Sequence, residues 1–221
     1  MDKRIHIITG HYGSGKSEIS VNMAMAMAQK GKKVIFADLD IINPYFRSNE
    51  ARSMLEEKGV NVITTQYANS NVDIPALTGD LSRYLPDATT CLVIDVGGDD
   101  AGSRVIGRYR DEIPLQDTNL YFVVNCFRPE TNSMDGTMKI LDEVRSASRL
   151  SVNFLINNAN LLDSTTMKDI LTGRDFILEA SRATGIPIAF HAIMKGIQES
   201  NEIQLNEPIL WMEKTMGFTN L

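Results

Sequence analysis

The sequence is poor in the features that mark secreted, metal-clustered or membrane-spanning chains. Its 221 residues include two cysteines, Cys91 and Cys126, far apart and with no CxxC or Cys/His grouping. That argues against an Fe–S or zinc site and fits a reducing, cytoplasmic setting. No apolar run approaches the roughly 18 residues needed to cross a bilayer. The opening MDKRIHIITG enters a strand-like run directly, without the apolar stretch or cleavage site of a signal peptide. The expectation is a protein that neither spans a membrane nor is exported. Basic residues are outnumbered, 22 against 28, for a net charge of −6, so the broad basic footprint that holds nucleic-acid phosphates is missing. There is no repeat, low-complexity tract or Pro/Gly/Ser-rich linker, and residues 1–221 are expected to form one domain. With 43% hydrophobic and 23% charged residues, the chain can bury a substantial core.

Short apolar runs rich in β-branched residues recur at Arg4–Thr9, Lys33–Ala37, Val60–Thr64, Cys91–Val96, Leu120–Cys126, Val152–Asn157 and Pro187–Ile193. They scarcely alternate with polar residues, as expected of strands buried on both faces. Helix-length stretches lie between most of them: Lys16–Lys30, Arg47–Lys58, Gly102–Asp111, Met134–Ser148 and Thr166–Thr184. The pattern predicts an α/β fold, a mostly parallel seven-stranded sheet with helices on both faces. The Met-Ala run Met23–Ala28 reads as core filling on the first helix. The tail Glu199–Leu221, with Ile203, Leu205, Ile209, Leu210, Trp211, Met212 and Met216, predicts a helix packed back on the domain.

Directly after the first strand comes Gly10-His11-Tyr12-Gly13-Ser14-Gly15-Lys16-Ser17, which fits G-x-x-x-x-G-K-[ST] in a strand-to-helix context. The glycines, with Ser14, allow successive N–H groups to point at phosphate oxygens. Lys16 is expected to meet the β- and γ-phosphates, and Ser17 to ligate Mg²⁺ beside the positive end of the helix. Carboxylates for the metal and its water belong at the ends of neighbouring strands. The fourth strand closes on Asp95, followed by Gly97-Gly98, and the second on Asp38-Leu39-Asp40. Either strand end would also suit a plain surface carboxylate.

With the loop, the Asp38-x-Asp40-x-x-x-Pro44 segment and the Asp95 strand in this order, the sequence resembles the MinD/ParA branch of P-loop NTPases. That superfamily also holds dethiobiotin-synthetase and cobyrinic-acid-synthase type domains and the nitrogenase iron protein. The resemblance implies a three-layer sandwich and an Mg²⁺-dependent ATPase switch acting on a protein partner, with Asp38 and Asp40 orienting water in switch I. It also implies a water-mediated Mg²⁺ contact from Asp95 and a switch II pivot at Gly97-Gly98. Members that form an ATP-sandwiched homodimer carry a signature lysine at the second loop position. Here it is His11, and dimerisation stays open. An ATP-dependent small-molecule enzyme of the dethiobiotin type is the alternative, with Tyr45, Arg47, Asn69, Asn71, Arg104 and Arg108 as pocket candidates. The loop GHYGSGKS also looks like that of metallochaperone GTPases.

The sixth strand ends in Asn157-Asn158-Ala159-Asn160, where related enzymes read the base. A guanine-selective N-K-x-D loop needs a lysine and an aspartate, and Asn158 and Asn160 stand in their places. An asparagine amide pairs with adenine, so ATP is expected over GTP, with Asn157 or Asn158 on the base and the 191–195 segment as the opposite wall. Turn chemistry at a strand end is the plainer account of these asparagines. Arg128, in a loop after the fifth strand, is a candidate for phosphate or partner contact or a solvated cap. His6 and His191 read as packed.

Overall fold

The computed structural model describes residues 3–39, 49–64, 81–98, 100–197 and 205–215. Eight strands are seen among the described residues: β1 (Ile5–Gly10), β2 (Val34–Asp38), β3 (Val60–Thr64), β4 (Cys91–Asp95), β5 (Thr118–Val124), β6 (Phe154–Asn157), β7 (Ile188–Met194) and β8 (Ile209–Met212). They form one sheet in the order β3-β2-β4-β1-β5-β6-β7-β8, and each neighbouring pair is parallel. The helices are α1 (Lys16–Gln29), α2 (Asn49–Glu57), α3 (Asp100–Arg108), α4 (Met134–Ser148) and α5 (Met167–Thr184).

Side-chain alternation splits each central strand between two apolar layers. Ile5, Ile7, Ile35, Leu92 and Ile94 join Val105 and Ile106 of α3, Leu141 and Val144 of α4, and Ile177 of α5 on one face. Ile8, Val34, Phe36, Val93 and Tyr121 join Ile19, Met23 and Met27 of α1 and Leu55 of α2 on the other. The α/β architecture with helices on both faces is therefore as the sequence predicts, and the Met-Ala run is core on α1. Local chemistry sets the helix ends. Ser133 accepts from Gly136 N (3.2 Å) at the start of α4, and Thr166 and Asp169 make a reciprocal capping box on α5. Gly185, in the left-handed region at φ 70°, ends α5.

The tail corrects the sequence reading, and with it the strand count. Residues 209–212 are a strand, not a helix. The apolar spacing 205, 209, 212, 216 suits a helix, but β7 would otherwise leave its outer backbone groups open. The tail satisfies them, with His191 N donating to Pro208 O and Lys195 N to Met212 O, at 2.9 and 2.8 Å. Tertiary pairing outweighs the local periodicity. The same tail grips α1: Asn22 accepts from Glu213 N (2.8 Å) and donates to Glu213 O (3.0 Å), and Thr215 N donates to Glu18 Oε1 (2.6 Å). The remaining tail residues, 199–204 and 216–221, lie outside the described residues.

Both strand histidines are packed as read. His6 has no solvent exposure; its Nδ1 lies 3.1 Å from the Tyr121 hydroxyl, and burial lowers its pKa from 6.5 to about 4. The unfolded chain therefore takes up this proton first as pH falls. The neutral ring stabilises the fold fully above pH 6.5 and loses that contribution as pH drops toward 4, an effect of at most about 3 kcal/mol. Denaturant titrations at pH 7.5 and 5 are expected to show lower stability at pH 5. In His6→Phe that difference should shrink; an unchanged difference would place the pH sensitivity elsewhere.

Candidate functional site

The loop Gly10–Lys16 leaves the carboxyl end of β1 and enters α1 at the centre of the sheet. Gly13 and Gly15 hold φ of 73° and 85°, left-handed values that β-carbon-bearing residues resist. Gly15 is the N-cap of α1 and, having no side chain, supplies no side-chain cap to the helix. Ser14 N donates to His11 O at 3.0 Å. The Ser14 hydroxyl, in a residue 1% exposed, has no hydrogen-bond partner among the described residues. Lys16 and Ser17 are buried at the helix start. A helix N-terminus without a side-chain cap, an orphaned hydroxyl and a buried lysine together suit a polyphosphate anion.

Asp38 and Asp95 sit side by side, because β2 and β4 pair Asp38 with Asp95 in register. Both are buried, Asp95 completely, and both project to the α1 face. Ser20, one turn into α1, donates to Lys16 O (2.8 Å) and approaches Asp95 Oδ1 (3.4 Å). Ser17 and the two aspartates thus come from three elements that meet at one end of the sheet, a donor set of hard oxygens suited to Mg²⁺. Among the described residues no group of three His, Cys, Asp or Glu side chains that could hold a metal ion is found. Asp40 and the 43–48 segment lie outside the described residues.

Backbone packing fixes the loop from this side. A methyl group at Gly98 would overlap Gly10 O and crowd His11 C and Tyr12 N at 2.8 and 2.9 Å. The turn after β4 therefore lies directly on the phosphate loop, and Gly102 at the start of α3 also packs closely on Gly97.

Two further loops hold the other side. Arg128 Nε donates to Gly13 O at 2.8 Å, and Asn158 Nδ2 donates to Ser14 O at 2.7 Å, so consecutive carbonyls are taken by separate loops. A side chain at Gly15 would overlap the Asn158 amide. The two loops are joined by Asn125, which is 1% exposed. Its Nδ2 donates to Asn160 O (3.0 Å), its Oδ1 accepts from Phe127 N (3.1 Å), and its carbonyl accepts from Arg128 N and from Thr131 Oγ1. His11 Nδ1 lies 3.0 Å from Tyr12 O and 3.6 Å from Glu130 Oε2.

The asparagines at the end of β6 separate into different environments. Asn157 is 3% exposed. Its Oδ1 accepts from Ala159 N (3.1 Å), which orients the amide so that Nδ2 faces His191 Nδ1 (3.0 Å). His191 is then the Nε2–H tautomer, with that nitrogen 3.2 Å from Glu207 Oε2. Burial lowers its pKa, and Glu207 opposes the shift without reversing it. The structure thus puts Asn157 and His191 inside the sheet and Asn158 against the phosphate loop. Asn160 accepts from Leu162 N, and the nearby Asp163 is ion-paired with Lys214 (2.8 Å). Of the small-molecule pocket candidates, Arg104 and Arg108 are exposed on α3, and Tyr45, Arg47, Asn69 and Asn71 lie outside the described residues. Arg128, a candidate for phosphate or partner contact or a solvated cap, lies on the phosphate loop through Gly13 O; Asn125, a single polar residue at the end of a strand, carries no sequence signal for its contacts.

A parallel sheet with this strand order, a glycine loop running into α1 and in-register aspartates beside it define a nucleotide-binding P-loop NTPase domain. Within that class the chain belongs to the CobQ/CobB/MinD/ParA nucleotide binding domain family, whose model matches residues 5–168. A search of curated proteins found no match. Among solved structures it is similar to the cell division protein FtsY of Thermotoga maritima, at 21% identity and a TM-score of 0.59 over 86% of this chain and 62% of that one. Chloroplast FtsY of Physcomitrella patens matches at 14% identity and 0.58, over 90% and 60%. A nucleotide-binding protein of Archaeoglobus fulgidus in complex with ADP matches at 19% and 0.50, over 85% and 80%. The chain spans about three-fifths of the length of the FtsY proteins, and these likenesses concern the fold. No helix among the described residues is long and apolar enough to cross a membrane.

Replacing Gly98 by alanine is expected to push the loop backbone, because a methyl there meets main-chain atoms that cannot rotate away. A loss of ~2 kcal/mol or more is expected from such overpacking. Thermal melting of Gly98→Ala checks this; a wild-type melting temperature would mean that the turn and the loop are not in contact.

Proposed function

We propose that the chain is an Mg²⁺-dependent ATP-binding and ATP-hydrolysing switch. The observation that carries this reading is the meeting of the uncapped α1 N-terminus, with buried Lys16 and Ser17, and the in-register pair Asp38 and Asp95. Backbone N–H groups from Gly13 to Ser17 cradle the phosphates, and Lys16 places its charge on the β- and γ-oxygens. Ser17 and Asp95 are the residues that would hold Mg²⁺, Asp95 through a water, and the ion would neutralise charge developing on the transferring phosphoryl group. Asp38 orients the attacking water, with Asp40 as the second carboxylate of that segment. Because the 97–98 turn lies on the phosphate loop and Gly102 packs on Gly97, a loop that tightens around a triphosphate displaces the start of α3. That is the kind of ordering change a partner protein, or a second copy of the chain, can sense. Asn158 and Asn160 in place of a lysine and an aspartate support adenine over guanine, since loop residues 157–162 contain no carboxylate.

Lys16→Ala should lose about 2–4 kcal/mol of MgATP affinity, the range for breaking a desolvated charge contact; wild-type affinity by calorimetry would overturn the assignment of the phosphate site. Asp38→Asn should bind MgATP nearly as wild type while turnover collapses, and unchanged turnover would move the water-orienting role to another residue. In competition against a fluorescent adenine nucleotide, ATP should displace better than GTP. The reverse order would favour a GTPase.

A further inference from the structure

We propose that Arg128 belongs to the nucleoside end of this site: anchored on the Gly13 carbonyl, its guanidinium lies against the ribose and base of a bound nucleotide and not at the terminal phosphate. The inference rests on the nucleotide-binding reading above and adds to it the residue that covers the nucleoside.

Strand order gives the site a direction. In the sheet, β4 and β2 lie on one side of β1, and β5 and β6 on the other. Asp95 and Asp38, the metal-side carboxylates, end the first pair of strands; Arg128 and Asn158 follow the second. A nucleotide whose terminal phosphate faces Ser17 and Asp95 leaves the phosphate loop on the opposite flank, so its ribose and base emerge where Arg128 stands.

The contacts at Arg128 hold it in place there. Nε donates to Gly13 O at 2.8 Å, and a β-carbon built on Gly13 would lie 3.3 Å from Nε and 3.4 Å from Cζ, so the guanidinium runs flush with the loop. The preceding turn is set by Asn125, which accepts Arg128 N at 3.1 Å and also ties the Asn158 loop. No carboxylate pairs with Arg128 among the described residues; the neighbouring Glu130 is 3.6 Å from His11 instead. Once Nε is committed, the planar cation keeps both terminal nitrogens. A plane of this kind stacks on a purine face and donates to ribose oxygens, recognition that an ammonium does not reproduce.

The test is calorimetric titration of the full chain and of Arg128→Ala and Arg128→Lys with MgATP, MgADP and magnesium tripolyphosphate, which has no nucleoside. Arg128→Ala should weaken MgATP and MgADP by the same factor, about tenfold for a stacked cation, and change tripolyphosphate by less than about twofold. Arg128→Lys, which keeps the charge and loses the plane, should fall between with the same ATP-to-ADP ratio, and serves if the alanine variant melts early. A loss on MgATP well beyond that on MgADP would place the guanidinium at the terminal phosphate. An equal loss on tripolyphosphate would make Arg128 only a prop for the loop. Either result overturns the proposal while leaving the nucleotide site standing; a wild-type chain that binds none of the three ligands overturns the nucleotide reading itself.

Discussion

A loop that turns successive N–H groups inward, toward an anion, must turn its carbonyls outward, and those carbonyls need partners in a crowded part of the protein. This constraint organises the region around residues 10–17. Gly13 O goes to Arg128 and Ser14 O to Asn158, while the turn at Gly98 closes on Gly10 O and its neighbours. The glycines at 13 and 15 answer the same demand twice. Their left-handed torsions shape the cradle, and their missing β-carbons leave room for the Arg128 and Asn158 side chains that hold it.

The rest of the fold stands behind that loop. Parallel pairing of β2, β4 and β1 delivers Asp38, Asp95 and the loop to the same end of the sheet in register, which is the general reason that ligands collect at the carboxyl ends of parallel strands. Helix α1 is buried along nearly its whole length, between the sheet on one side and the tail on another. The bonds from Asn22 to Glu213 and from Glu18 to Thr215 N make β8 part of what fixes the angle at which α1 presents its N-terminus.

Much of this was legible in the sequence, for identifiable reasons. Unalternated β-branched runs and helix-length spacers specify a two-sided parallel sheet, and a G-x-x-x-x-G-K-S run between a strand and a helix has few other uses. The aspartates were readable because each closes an apolar run. What escaped depends on long-range partners. The tail showed a helical spacing that the open edge of β7 overrode. Asn157 and Asn158 are chemically identical and adjacent, yet strand alternation sends one to His191 and the other to Ser14 O. Arg128 stood out as a contact candidate, but its partner, the Gly13 carbonyl, and the part played by Asn125 leave no trace in side-chain pattern.

The most direct measurement of the central claim is a crystal structure of the chain with Mg²⁺ and a non-hydrolysable ATP analogue. The expected result is phosphates wrapped by the N–H groups of residues 13–17, the metal beside Ser17 on the Asp95 and Asp38 flank, and the nucleoside on the flank of β5 and β6. An analogue bound with its base toward β4 and β2, or bound away from the loop altogether, would contradict it.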